Sequence, residues 1–299
     1  MNSSPSVHSA TDAAAQAAVR RVADHAASVD GYRPFNEQAM LDVASGHREP
    51  FLITDGDVVG AAILGAGELD LVVVPDERRR GIASAALPAL LERVPADEQL
   101  FAWAHGDHPG AAALAARFGF ASVRTLLQLR VAPIPEPAPR ADAGSAGIAL
   151  FRPGIDDDEW VALNALVFAH HPEQGALTGA DLAARQAEPW FDAGDLLVAR
   201  DADGRMIGYN WLKIEEAEAG APRVGEIYVI GVHPDAAGRG LGRTLMNAGL
   251  ARLRERGCEA AALYVEADNE PAVRLYRSLG FTDFTVDVQY RRGPVSASR

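Results

Sequence analysis

The chain carries one pattern of elements twice, at domain length, so any fold it adopts must hold two similar units rather than a run of short repeats. VVVPDERRRGIASAALPALLERV at Val72–Val94 finds its counterpart in GVHPDAAGRGLGRTLMNAGLARLRERG at Gly231–Gly257, with Pro75 aligned to Pro234 and Gly81 to Gly240. Further along, ARFGF (Ala116–Phe120) matches RSLGF (Arg277–Phe281). Between the halves, VAPIPEPAPRADAGSAG (Val131–Gly147) is too rich in proline and small residues to build a core element. The expected domains are residues 1–130 and 148–299, joined by a 131–147 linker. A chain of 299 residues also exceeds what one core usually serves.

In the second half, Ile148–Phe151 reads as a short strand, and Glu159–Ala169 and Ala180–Ala187 as helices. Leu196–Arg200 and Met206–Ile214 read as strands paired around Asp203-Gly204. Glu226–Val232 is a β-branched strand, Leu241–Arg256 an amphipathic helix, Ala261–Val265 a strand, Pro271–Leu279 a helix with proline in its first turn, and Phe284–Tyr290 a closing strand. The class is mixed α+β around a central sheet.

A net charge of −13 disfavours non-specific nucleic-acid binding, which depends on many Lys and Arg at phosphates. Any phosphate ligand must be held locally. No apolar run approaches a membrane span, and Met1–Ala10 lacks the charged and apolar regions of a signal peptide, so a cytoplasmic, monomeric protein is expected. The single cysteine, Cys258, excludes an intrachain disulfide and reads as a buried thiol. His170 and His171 lack further ligands at metal spacing, and no metal is expected.

Ala237-Gly238-Arg239-Gly240-Leu241-Gly242 falls between a strand and a long helix, where free N–H groups and the helix dipole meet an anion. By itself this is equally the signature of a structural turn. The strand ending in Val-x-Pro, the R-G-x-G loop and the helix ending in Leu-Gly-Phe together resemble the GCN5-related N-acetyltransferase (GNAT) superfamily across nearly all of both halves. The resemblance implies two tandem acyl-CoA N-acyltransferase domains, each a mainly antiparallel sheet flanked by helices, with acetyl-CoA as cosubstrate. The family loop begins with Gln or Arg. Arg78-Arg79-Arg80-Gly81-Ile82-Ala83 follows that pattern, whereas the second half has Ala237 at the leading position, with Arg239 and Arg243 able to compensate.

The family's cofactor contacts then fall on Leu71, Val72, Val73, Arg79, Arg80, Gly81, Ile82, Ala83 and Ser84 in the first half. In the second they fall on Ile230, Gly231, Val232 and residues Ala237 through Arg243, with a further segment Asn269, Glu270, Pro271, Ala272, Val273 and Arg274. Asn269 could equally be a helix cap. The resemblance also implies that Glu226–Val232 splays from Ala261–Val265 to admit the pantetheine arm.

Acetyl transfer to an amine needs a base for the nucleophile and an acid for the leaving thiolate. Glu226, at the strand beside the cleft, is the candidate base, and Tyr276 the candidate acid. Each also has an ordinary reading, a solvated strand-start glutamate and a core aromatic. Counting from the aligned prolines, Glu226 corresponds to Gly67; counting from the aligned Gly-Phe pairs, Tyr276 corresponds to Ala115. The first half therefore reads as catalytically degenerate, able still to hold acetyl-CoA. Glu68 adjoins the vacant position, but one step along a strand reverses the face.

SVDGYRPFNEQ (Ser28–Gln38), WAHGDHPGA (Trp103–Ala111), HPEQG (His171–Gly175), GEIYVIGVHP (Gly225–Pro234) and LYVEADNEPAVRLYRSLGF (Leu263–Phe281) go further, and as a set are similar to the mycothiol synthase family of tandem acetyltransferases. That family acetylates the cysteinyl amine of a cysteine-glucosamine-inositol acceptor. The resemblance places acceptor contacts on Glu37, Glu173, Lys213, Glu226 and Tyr264. Carboxylates suit a polyol carrying an ammonium. A different amine acceptor, such as a peptide N-terminus or an aminoglycoside, or a non-catalytic acetyl-CoA sensor, remain open alternatives on the residues alone.

Overall fold

The computed structural model describes residues 5–136, 147–169, 174–217 and 221–294, apart from the side chain of Glu37. Along the chain run β1 (Ser6–Ser9), α1 (Ala13–Asp30), α2 (Glu37–Ser45), β2 (Glu49–Asp55), β3 (Asp57–Gly65) and β4 (Glu68–Val73). Then come α3 (Ile82–Leu91), β5 (Leu100–Ala104), α4 (Pro109–Arg117) and β6 (Ala121–Val131). The second repeat supplies β7 (Gly147–Leu150), α5 (Asp157–Val167), α6 (Gly179–Gln186), β8 (Leu196–Arg200), β9 (Met206–Ile214) and β10 (Val224–Val232). It ends with α7 (Leu241–Glu255), β11 (Ala260–Glu266), α8 (Glu270–Ser278) and β12 (Thr282–Arg292).

Two compact units result. The first holds the chain up to Leu127, Glu266–Asp268 and the chain from Thr285 on; the second holds Gln128–Val265 and Asn269–Phe284. In the first unit the strand order is β1-β2-β3-β4-β5-β12, antiparallel except for β4 beside β5. Helix α1 packs Val19, Val22 and Ala26 on Ala61, Ile63 and Val72. The alternate residues of β3, Ala62 and Leu64, face Leu87, Leu90 and Ala115 of α3 and α4.

The C-terminal strand completes the first unit. Val288 pairs with Ala104, Tyr290 with Ala102 and Arg292 with Leu100. Sequence reading places Phe284–Tyr290 as the strand closing the second half; its alternation reveals a strand but carries no information about the partner. Asp287 fastens it further, accepting from the Gly106 N–H at 3.0 Å and lying 3.0 Å from His105 Nδ1.

In the second unit the order is β11-β10-β9-β8-β7, with only β10 and β11 parallel. Its core is aromatic: Trp160, Tyr209 and Trp211 are fully buried, and Trp160 meets Trp211 edge to face at 5.4 Å. On the other face α7 seats Leu241 and Leu245 against Ala199. Cys258 is buried, which pushes its thiol up and away from the reactive thiolate.

Candidate active site

In both units two parallel strands begin paired and then part. In the second, β10 and β11 pair from Val224 with Ala260 to Ile227 with Leu263, while β10 continues to Val232 and β11 to Glu266. In the first, β4 meets β5 only at Glu68 with Phe101. Beyond each pairing, Ile230–Val232 and Leu71–Val73 have no ladder partner on that side among the described residues.

Each parted strand leads through a short 3-10 turn, Pro234–Ala236 or Pro75–Glu77, into a helix whose first turn has no side-chain cap. Gly238 and Gly240 take φ of 75° and 85°, and Arg79 and Gly81 repeat this alternation with 62° and 81°. Alternating left-handed residues turn successive amides inward, a concavity suited to phosphate at a helix N-terminus. Here the two loops share one backbone although their residues differ. Arg78 is engaged elsewhere, bonding Asp30 twice at 2.7 Å and the Val73 carbonyl at 3.0 Å. Arg80 pairs with Glu77, Arg243 with Ser278 Oγ and Arg274 with Glu270. Asn269 caps α8, its side chain accepting from the Ala272 N–H at 3.3 Å.

Glu226 stands on β10 opposite Lys213 of β9. Burial pushes its carboxyl up, while the Lys213 ammonium pulls it down and Glu215 pushes it up again. Lys213 lies 3.3 Å from Glu215 and 5.4 Å above the Trp190 ring, which in turn meets Tyr228 at 5.2 Å. Tyr264 is exposed on β11. Tyr276 is buried on α8, and burial pushes its hydroxyl up to about 12. Glu37 is the first residue of α2 in the first unit. Glu173 lies outside the described residues; its neighbour Gln174 exchanges hydrogen bonds with Asn164 at 2.7 and 3.0 Å.

Glu68 does not fall on the opposite face from the position of Glu226. β10 carries a bulge between Ile227 and Val229, with Tyr228 left over against β9, and β4 has none. Measured from the matched pairs Val232 with Gly208 and Val73 with Gly60, Glu226 lies opposite the fifth residue on, Lys213, and Glu68 opposite the fifth residue on, Gly65. The bulge absorbs one residue, so the sheet register places Glu68, and not Gly67, where the second unit has Glu226. Arg48 occupies it at 3.1 Å and bonds buried Asp70 at 2.6 Å. The alignment of Tyr276 with Ala115 holds in the backbone: Phe281 N–H donates to Tyr276 and Phe120 N–H to Ala115, at 3.2 and 2.9 Å.

The first unit contains a cavity of about 450 Å³ bordered by Leu71–Val73, Arg79 and Gly81–Ser84. Tyr32, Trp103, His105 and Tyr290 line it as well, and sequence reading assigned them no role. Two of the singled-out segments meet here: a Cβ on Gly106 would lie 2.2 Å from the Tyr32 ring. Runs of distinctive residues at Ser28–Gln38 and Trp103–Ala111 were the available signal.

The paired glycine-containing loops and parted strands define a tandem acyltransferase architecture, and the acetyltransferase (GNAT) family model matches residues 21–120 and 162–281. The chain belongs to the GNAT acetyltransferase family. Among its relatives, a mycothiol acetyltransferase of Clavibacter michiganensis is 49% identical over 286 residues, spanning 92% of this chain and 90% of the relative. Two solved structures share the fold. A GCN5-related N-acetyltransferase from Sphaerobacter thermophilus superposes with a TM-score of 0.72 at 22% identity, over 96% of this chain and 95% of its own. A tandem GNAT protein from the clavulanic acid biosynthesis pathway gives 0.68 at 20% identity, over 99% and 100%.

Proposed function

We propose that this chain transfers acetyl from acetyl-CoA to the cysteinyl amine of cysteine-glucosamine-inositol, giving mycothiol and CoA. The likeness to mycothiol acetyltransferases over nine-tenths of both chains carries this reading. The second unit performs the reaction, and its residues Ile230–Val232, Ala237–Arg243 and Asn269–Arg274 hold acetyl-CoA. Uncapped amides at Leu241–Arg243 suit the pyrophosphate.

Glu226 takes the proton of the acceptor ammonium, through water. The neutral amine then attacks the thioester carbonyl, the carbon–sulfur bond breaks, Tyr276 gives its proton to the departing sulfur, and the second proton that the nitrogen loses as the amide forms returns through water to Tyr276. Burial supports both roles: it raises the proton affinity of Glu226 toward that of a useful base, and a hydroxyl at about 12 keeps its proton at neutral pH. Glu37, Glu173, Lys213 and Tyr264 bind the acceptor, and Lys213 moderates Glu226.

Incubation with acetyl-CoA and this acceptor beside peptide and aminoglycoside amines, followed by mass spectrometry, tests the reading. Acetylation confined to cysteine-glucosamine-inositol is expected, and acetylation of another amine alone overturns the acceptor. Tyr276→Phe is expected to lower kcat by roughly tenfold to a hundredfold, at or below the lower end usual for general acid catalysis because a thiolate leaves readily. Acetyl-CoA affinity should be unchanged. Lys213→Met removes a charge that favours ionised Glu226, so the acid limb of the pH–rate profile should move to higher pH; a shift to lower pH contradicts the pairing.

A further inference from the structure

The repeats part company where the second carries Tyr276. Its ring fills the space beside α8, 6.1 Å from the Phe281 ring. In the first unit a methyl group stands at the same backbone position, and the 450 Å³ cavity is lined by Ala115 together with Leu69, Leu87 and Phe120, each buried in the core. Elsewhere the same cavity borders Arg79 and Gly81, ahead of the uncapped first turn of α3. It therefore offers amides for a phosphate and, where the second unit carries the Tyr276 ring, additional room against a hydrocarbon lining.

We propose that the first unit binds an acyl-CoA whose acyl chain is longer than acetyl, with Ala115 opening the space that receives the chain. This rests on reading the first unit as a CoA site. Butyryl adds two methylenes to acetyl, and the usual transfer free energy per buried methylene corresponds to about tenfold tighter binding. The second unit, with Tyr276 in that volume, gains nothing from the longer chain.

Native mass spectrometry and calorimetry of the full chain with CoA, acetyl-CoA, butyryl-CoA and hexanoyl-CoA test this. Two molecules per chain are expected, one site preferring butyryl-CoA to acetyl-CoA by about tenfold. Ala115→Tyr should erase that preference while leaving two acetyl-CoA molecules bound, and the smaller change Ala115→Leu should reduce it. Equal affinity for acetyl- and butyryl-CoA at both wild-type sites, or a preference that survives Ala115→Tyr, overturns the proposal. A single molecule per chain with every thioester, unaffected by Ala115→Tyr, removes the first unit as a CoA site altogether.

Discussion

Glu226→Gln is expected to lower kcat by about 10²- to 10⁴-fold, the range for loss of a positioned general base. The amide keeps the shape of the side chain, and the phosphate loop begins only beyond Val232, so acetyl-CoA affinity should stay at the wild-type level. The pH dependence supplies a second readout. Burial raises the Glu226 carboxyl, so the wild-type rate should fall on the acid side through a pKa above the ordinary carboxylate range. In Glu226→Gln that limb should vanish. If it persists with a small loss of rate, another group is the base and Glu226 is a binding residue.

The largest effect on stability is expected at Arg48. Its side chain is buried between Glu68 and Asp70, and Asp70 itself is buried, so Arg48→Ala leaves a carboxylate without its partner away from water. Breaking such a pair typically costs about 3–5 kcal/mol. Urea unfolding at pH 7 should show it. Burial already pushes the Asp70 carboxyl up despite Arg48, so removing the arginine favours the protonated form further. The deficit should therefore shrink as pH falls. A loss that stays constant with pH points to lost packing rather than to stranded charge.

Much of this molecule was legible in its residues. The duplication, the two loops and the helices that follow them depend on glycine spacing and on local periodicity, which a sequence displays directly. What escaped was non-local. The bulge at Tyr228 follows from no residue pattern, yet it moves the register by one and brings Glu68 to the place that counting gave to Gly67. Asp30 cannot be paired with Arg78, or Asp287 with His105, by any spacing rule, since 48 and 182 residues separate them. No spacing rule brings Trp190 to Lys213 and Tyr228 either; only their contacts do.

The pairing of β12 with β5 sets an order of events on the ribosome. The first unit includes β1, but the strand that completes it is translated after every element of the second unit. At about 5–20 residues per second, the interval between residues 127 and 285 is on the order of ten to thirty seconds. Throughout it the emerging half presents β5 with an unfilled edge, a surface open to chaperones and to neighbouring nascent chains. A stop codon near the connector would yield an amino-terminal fragment missing a strand, so severing the gene at its apparent seam is a poor way to obtain that half alone.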